Sequence, residues 1–328
     1  MSEAREREAA ASARPRARGA LLRHAVPWLI TIACFAYLYF RIGGRAPAGQ
    51  SVPAYLASIF AGVDWPAWLA LMIPYSLLYL FIDTAVLWRV VSWFNTRVSY
   101  RELLPIRASA YIISILNEQV GKGAIGWYLN RRHGVPGWQV ASSMLFIMLC
   151  EPLYLLLWAV AGVRLTWQRV PELFHAIPAL ALAALALVAG IWAFFRLPAF
   201  ASIGLRERQI FHAFRRAAPW QYLTILALRS PALLAAVFVY SRSAALFGVE
   251  IPLADMLGFL PVIFFGTFIP GPFRAAAVTM WTVLFPEHTA QMAVFGLVMH
   301  NFFVLFNAAI GAIFLPKANR ELARAAPA

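Results

Sequence analysis

Four ionisable residues stand inside long apolar stretches of the sequence: Asp83, Glu151, Arg229 and His300. Ionisable groups are costly in hydrocarbon. They persist where they face a wet cavity or one another, in proton relays, ion paths and counter-ion pairs. For Asp83 and Arg229 two readings stand, a buried structural ion pair and a pair of groups lining a polar path. Glu151 precedes Pro152, where a kink would bring its carboxylate to a cavity. His300 is followed by Asn301, with Asn307 about two turns further along the same run. A single histidine in that setting is more often a hydrogen-bonded packing residue than a metal ligand. Asp83, Glu151, His300 and Asn301 are the candidates for a polar cavity or for coupling to protons.

Two further stretches have the makings of an anion receptor. The first, GTFIPGPFR at residues 266–274, interrupts an almost wholly apolar run. Pro270 and Pro272 cannot donate backbone hydrogen bonds, and Gly271 reaches conformations closed to other residues. Pro272 suits the first position of a new helix. The stretch therefore reads as helix, break, helix, with Arg274 in the first turn of the second helix. A guanidinium beside a free helix N-terminus is a phosphate receptor. The alternative is a structural kink with Arg274 snorkelling to the interface. The second stretch, LNEQVGKGAIGWYL at 116–129, reads as a glycine-rich turn carrying Glu118, Gly121 and Lys122. If the turn is helical, Glu118 and Lys122 are spaced to pair; otherwise they form a solvated loop pair. Gly121, Gly123 and Gly126 spell GxGxxG, but no strand precedes them and no acidic residue lies about twenty positions on, so a dinucleotide site is rejected. No nucleotide-binding P-loop ending is present either, which argues against direct drive by ATP. The candidates for substrate binding are Arg274, Gly271, Pro270, Lys122, Gly121, Glu118 and Arg229. No catalytic residue, metal site or cofactor is expected.

Composition names the medium in which these residues must be held. The chain has 328 residues, 62% hydrophobic and 13% charged, with a mean hydropathy of +0.70. Soluble domains are about half apolar and about a quarter charged. Apolar runs long enough to cross a membrane lie near 25–41, 66–91, 138–163, 173–197, 220–247 and 290–315. The expected fold class is an all-α polytopic membrane protein. It has six transmembrane helices and two re-entrant broken-helix hairpins, near 103–130 and 255–287. The formal charge of +14 is assigned to cytoplasmic loops lying against anionic lipid, not to nucleic acid. Cys34 and Cys150 fall in apolar runs and read as packing residues. Residues 1–24 read as a basic, disordered cytoplasmic tail with no cleavable signal. Residues 25–316 read as a single membrane domain, and 317–328 as a second cytoplasmic tail.

Charge placement selects the topology. With the N-terminus inside and both broken segments turning back, most of the 28 lysines and arginines fall on the cytoplasmic side. Arg107, Arg229 and Arg274 stay within membrane segments. A full crossing at 103–130 would place Arg131, Arg132 and the arginines at 206–216 outside, against the positive-inside rule; a six-span arrangement with no re-entry and both segments lying at the surface stays open. The order span, span, broken segment, span then occurs twice, over about 25–163 and about 173–316, with opposite starting sides. That is the inverted-topology repeat of many transporters. The pattern favours a translocase of a polar or anionic lipid or lipid-linked molecule. Its partners would be membrane lipids, an anionic phospholipid among them. Two alternatives stay open. One is an integral-membrane enzyme on a lipid-linked substrate, whose compact acid–base candidates are Glu172 with His175 and Glu287 with His288. The other is a non-catalytic assembly subunit.

The two interrupted stretches also carry a resemblance. Residues 95–316 resemble the flippase-like transmembrane region of lysylphosphatidylglycerol synthases and their stand-alone relatives. The resemblance rests on LNEQVGKGAIGWYLNRRHGV at 116–135, followed by a span with an acidic residue. It rests also on FIPGPFRAAAVTMWTVLF at 268–285, followed by a span ending in GAIFLP. Members typically have a Pro/Gly break, Gly-Glu and a later Arg in the first segment. In the second they have Pro-Gly-Gly, a Gly and Arg-Glu. Here Gly121 fits the first glycine, with Lys122 where Glu is usual. Pro270 and Gly271 fit the second break, with Pro272 in place of Gly, Ala276 and Ala277 where Arg-Glu is common, and Arg274 displaced. The resemblance implies an inner-membrane protein that moves polar lipids between leaflets. The family's aminoacyl-transfer domain is not expected, since only a short tail follows the last span.

Overall fold

The computed structural model of the chain describes residues 25–47, 49–114, 118–200, 202–269 and 271–323, without the side chains at 114, 118–122, 322 and 323. Every regular element among the described residues is helical. In chain order these are α1 (Ala25–Gly43), α2 (Val52–Ala61), α3 (Trp65–Phe94), α4 (Tyr100–Ser114), α5 (Glu118–His133) and α6 (Gly137–Leu165). Then follow α7 (Ile177–Arg196), α8 (His212–Arg216), α9 (Pro219–Leu246), α10 (Leu253–Phe265), α11 (Ala275–Leu284) and α12 (Thr289–Ala323). Among the described residues six helices are long and apolar enough to cross a membrane: α1, α3, α6, α7, α9 and α12. They coincide with the six apolar runs of the sequence.

Local chemistry sets where these helices start and stop. The Asp64 carboxylate accepts the Ala67 N–H at 3.1 Å, and Pro66 fills the first turn of α3, where no intrahelical donor is needed. Pro219 does the same for α9, and the Gln221 side chain turns back to accept the Ala218 N–H at 2.8 Å. α5 ends at Gly134, whose φ of +64° is open to glycine at little cost. The Gly134 N–H there reaches the Asn130 carbonyl at 3.0 Å, and Pro136 follows. Proline also occurs inside helices: Pro74 in α3, Pro105 in α4, Pro152 in α6 and Pro231 in α9. Each removes a backbone donor and leaves the carbonyl one turn earlier without its helical partner.

Both interrupted stretches depart in detail from the sequence expectation. In the first, the glycine-rich residues are not a turn: 118–133 is one helix, and Gly121, Gly123 and Gly126 lie inside it. Interior glycine costs about 1 kcal/mol relative to alanine. That cost is tolerable where α5 packs on α4 and α6. Residues 115–117, between α4 and α5, lie outside the described residues. In the second stretch, Pro272 opens only a single tight turn, and the helix proper starts later, at Ala275. Phe273 (φ 58°) and Arg274 (φ 53°) are both left-handed, a conformation that a right-handed helix cannot propagate through. Arg274 is therefore the residue before α11, not part of its first turn.

The described residues fall into two compact units. One comprises Met1–Gly62 with Ile263–Asn301; the other, Val63–Val262 with Phe302–Ala328. In the first, Leu38 and Ile42 of α1, Val52 of α2, Val278 of α11 and Ala290 and Ala293 of α12 form the core. In the second, α3 packs along α9, and aromatic residues of α3, α6, α8 and α9 fill the centre, Phe94, Phe146, Phe214 and Tyr222 among them. Small residues let helices of this unit approach closely, as is usual in membranes. A side chain at Gly162 of α6 would run into the backbone of Gly258 in α10, and one at Gly311 of α12 into the Ala108 carbonyl of α4. Gly162→Val is thus expected to destabilise the protein by at least about 1–3 kcal/mol, the usual cost of overpacking. Thermal unfolding in detergent reads this as a lower midpoint.

Candidate functional site

Four helices of the second unit bring their ionisable residues to one place. Asp83 comes from α3, Arg107 from α4, Glu151 from α6 and Arg229 from α9. Asp83 Oδ2 accepts from Arg107 Nε at 2.5 Å and from Tyr111 Oη at 2.7 Å. Asp83 Oδ1 lies 3.5 Å from Arg229 Nη2. Arg229 Nη1 in turn lies 3.3 Å from Glu151 Oε1. Two cations and two anions make the group neutral, and a charge in a low-dielectric interior requires that balance. Asp83 and Arg229 are each only 5% exposed, so neither borrows its solvation from bulk water. Tyrosine faces complete the setting. The Arg107 guanidinium lies 4.7 Å from the Tyr111 ring centre, and that of Arg229 lies 5.9 Å from Tyr154.

The group is lopsided. Asp83 is held by two guanidiniums and a phenol. Glu151 has Arg229 alone as an ion-pair partner among the described residues. Arg229 Nε is buried and has no hydrogen-bond partner among the described residues. A buried unsatisfied donor costs about 1–3 kcal/mol. Asp83, Arg107, Glu151 and Arg229 line a cavity of about 30 Å³ with Tyr79 and apolar neighbours. That is room for about two waters. Arg229 therefore keeps donor capacity beside a polar void.

The site residues expected from the sequence divide between the two units. Asp83, Glu151 and Arg229 meet in the second. Gly271, Arg274, His300 and Asn301 belong to the first, where each has a packing partner. Arg274 Nη1 donates to the Thr267 carbonyl at 2.9 Å and so ties the two sides of the break together. Gly271 lies against α1, where a side chain would strike Thr31 Oγ1. Buried His300 accepts from Trp281 Nε1 at 3.2 Å. Asn301 Nδ2 donates to the Leu297 and Phe273 carbonyls at 2.8 and 3.3 Å. Pro270 and the side chains of Glu118 and Lys122 lie outside the described residues, and of Gly121 only the helical backbone is described. Arg107 and Tyr111 are the members that sequence reasoning did not assign to a site. The available signal was the placement of Arg107 in a membrane segment two residues after Pro105.

A second polar cluster, also in the second unit, ties α4, α5 and α12. Glu102 Oε1 receives Tyr128 Oη at 2.7 Å, Arg132 Nε at 3.1 Å and His133 Nε2 at 3.1 Å. Arg132 also pairs with Glu321 at 3.5 Å. Partial burial works against the charge on Glu102, but the hydrogen bonds from Tyr128 and His133 outweigh it and hold its carboxyl below the usual range. Elsewhere, His175 stacks on Trp167 at 4.1 Å and lies 2.9 Å from the Trp167 carbonyl, so its ring is committed there and not to Glu172. No family model, curated protein or solved structure matches this chain.

Two outcomes follow from these geometries. Asp83→Asn leaves two buried guanidiniums with one carboxylate. It is expected to cost about 3–5 kcal/mol, against less for Glu151→Gln, as thermal unfolding of the purified variants would show. Because the folded Glu102 carboxyl is depressed, its contribution to stability is complete above the ordinary carboxylate range and is lost as pH falls through the folded value. Glu102→Gln is expected to flatten that acid limb in a pH series of melting temperatures.

Proposed function

We propose that the chain is a translocase of polar or anionic lipids, or lipid-linked molecules, in the inner membrane, with both termini cytoplasmic. The observation that carries the reading is Arg229, buried in the second unit, bridging the carboxylates of α3 and α6 and still holding an unused N–H beside a cavity. Intramembrane charges of this kind mark substrate and proton paths. An arriving phosphate competes with Glu151 for Arg229, because Glu151 has no other ion-pair partner among the described residues. Asp83 keeps its charge on Arg107 and Tyr111. A buried carboxylate left without a cation is neutralised by a proton. Anion binding and proton uptake are then linked through Glu151, and Asp83 anchors the exchange. A cavity of this size does not admit a headgroup, so the helices around it must part during the cycle.

In this proposal α4 with α5, and α10 with α11, are the re-entrant hairpins. Their support is length. At 15, 16, 13 and 10 residues each falls short of the roughly 20 that cross a bilayer. The inverted repeat draws support from α3 and α9, the second span of each half. They pack together and pair Asp83 with Arg229. An alternating rocking of the halves is the motion such repeats perform. The likeness to the transmembrane region of lysylphosphatidylglycerol synthases stands within the same proposal. A second reading, a non-catalytic assembly subunit in which the four charges only staple helices together, draws on the full pairing of Asp83.

The two readings separate in proteoliposomes that carry a fluorescent phosphatidylglycerol. Wild-type protein is expected to expose the inner-leaflet probe to dithionite. Glu151→Gln is expected to slow that exposure on the order of tenfold, the weight of about 1.4 kcal/mol in a barrier. Wild-type protein that leaves the inner leaflet protected, or a variant that moves lipid at the wild-type rate, would sink the translocase.

A further inference from the structure

The connector between α7 and α9, residues 197–218, contains α8 and three short 3-10 turns. α7 ends at Arg196 and α9 starts at Pro219, and both are candidate spans. The connector therefore lies at one end of the spanning helices, where hydrocarbon gives way to water. Its inner side is anchored in the second unit. Ala213 and Phe214 are buried, and the Ala213 N–H donates to Ser142 Oγ at 2.9 Å. His212 Nε2 lies 2.9 Å from the Phe94 carbonyl. Phe214 packs on Phe146 and Phe195.

The outer side has a different composition. Arg196, Arg206, Arg208, Arg215 and Arg216 gather there, against a single acidic residue, Glu207. Among the described residues none of the five arginines forms an ion pair with a carboxylate. Three are instead fixed by main-chain carbonyls. Arg196 donates to those of Arg216 and Ala217, both at 3.1 Å. Arg206 donates to Leu197 at 3.0 Å and Phe195 at 2.6 Å, and Arg215 donates to Arg206 and Arg208. A carbonyl orients a guanidinium but leaves its charge uncompensated. Four large apolar side chains share this side: Leu197, Phe200, Ile203 and Leu205, between 37% and 46% exposed.

We propose that this connector is a binding surface for anionic phospholipid of the adjoining leaflet. The five guanidiniums take the headgroup phosphates, and the four apolar side chains enter the upper acyl region. Basic residues at an anionic bilayer surface gain attraction, and apolar side chains beside them gain burial. The apolar four decide the occupant. A dissolved phosphate has no use for them, and a nucleic-acid backbone would leave them in water. The surface stands apart from the Asp83–Arg229 group and does not depend on the transport reading.

The test is native mass spectrometry of the full chain, released from micelles of equimolar phosphatidylcholine and phosphatidylglycerol. Wild-type protein is expected to retain phosphatidylglycerol selectively. Arg208→Gln with Arg216→Gln removes the two arginines that no main-chain carbonyl holds. It is expected to weaken that retention roughly twenty-five-fold, about fivefold for each charge, with the melting temperature kept. Arg208→Lys with Arg216→Lys should restore most of it. Arg164→Gln with Arg242→Gln removes the same charge from the opposite ends of α6 and α9 and should leave retention unchanged. Equal loss in that control pair, no loss in the first pair, or displacement of the lipid by inorganic phosphate or a short RNA would each overturn the proposal.

Discussion

A charge inside an apolar helical protein needs a counter-charge at a fixed distance, and this constraint governs the second unit. Asp83 alone would forbid α3 a place in hydrocarbon; with Arg107 and Arg229 it forces α4 and α9 into register against α3. Glu151 adds α6 through the same guanidinium. Hydrophobic burial offers little direction between helices in lipid, because a leucine is as well solvated by a neighbouring acyl chain as by another helix. The charged group and the close glycine contacts supply that direction instead. Proline sits within two residues of three of the four charges: Pro105 by Arg107, Pro152 by Glu151 and Pro231 by Arg229. Each loosens the backbone beside a side chain that must reach inward.

The six long helices were legible in the sequence because length and hydropathy are local properties. Their ends matched the apolar runs to within a few residues, except that α12 continues to Ala323, into the stretch read as a tail. The two stretches were legible as places rich in glycine or proline, which punctuate any run. Their internal form was not. Whether three glycines make a turn or sit inside a helix depends on what packs against them, and α5 has α4 and α6. Whether Pro272 opens a helix depends on its successors, and Phe273 and Arg274 turned left-handed.

The site was half legible for a related reason. Asp83, Glu151 and Arg229 were conspicuous as lone ionisable groups among apolar neighbours. Arg107 was counted only as a membrane charge, and Tyr111 was not singled out. Sequence alone does not say which buried charges face each other. That follows from helix pairing. The break around Gly271 and Arg274 shows the converse. Its residue types suit an anion receptor, yet in the folded first unit Arg274, His300 and Asn301 are each engaged by a carbonyl or an indole.

The pairing distances along the chain also impose an order on biogenesis. Asp83 and Arg107 are 24 residues apart, whereas Asp83 and Arg229 are 146 apart. As the ribosome feeds the chain outward, the acid on α3 meets a neutralising base almost at once, so α3 and α4 can leave the insertion machinery as an electrically silent pair. α6 has no such companion. Its carboxylate meets its partner guanidinium only when α9 has been synthesised.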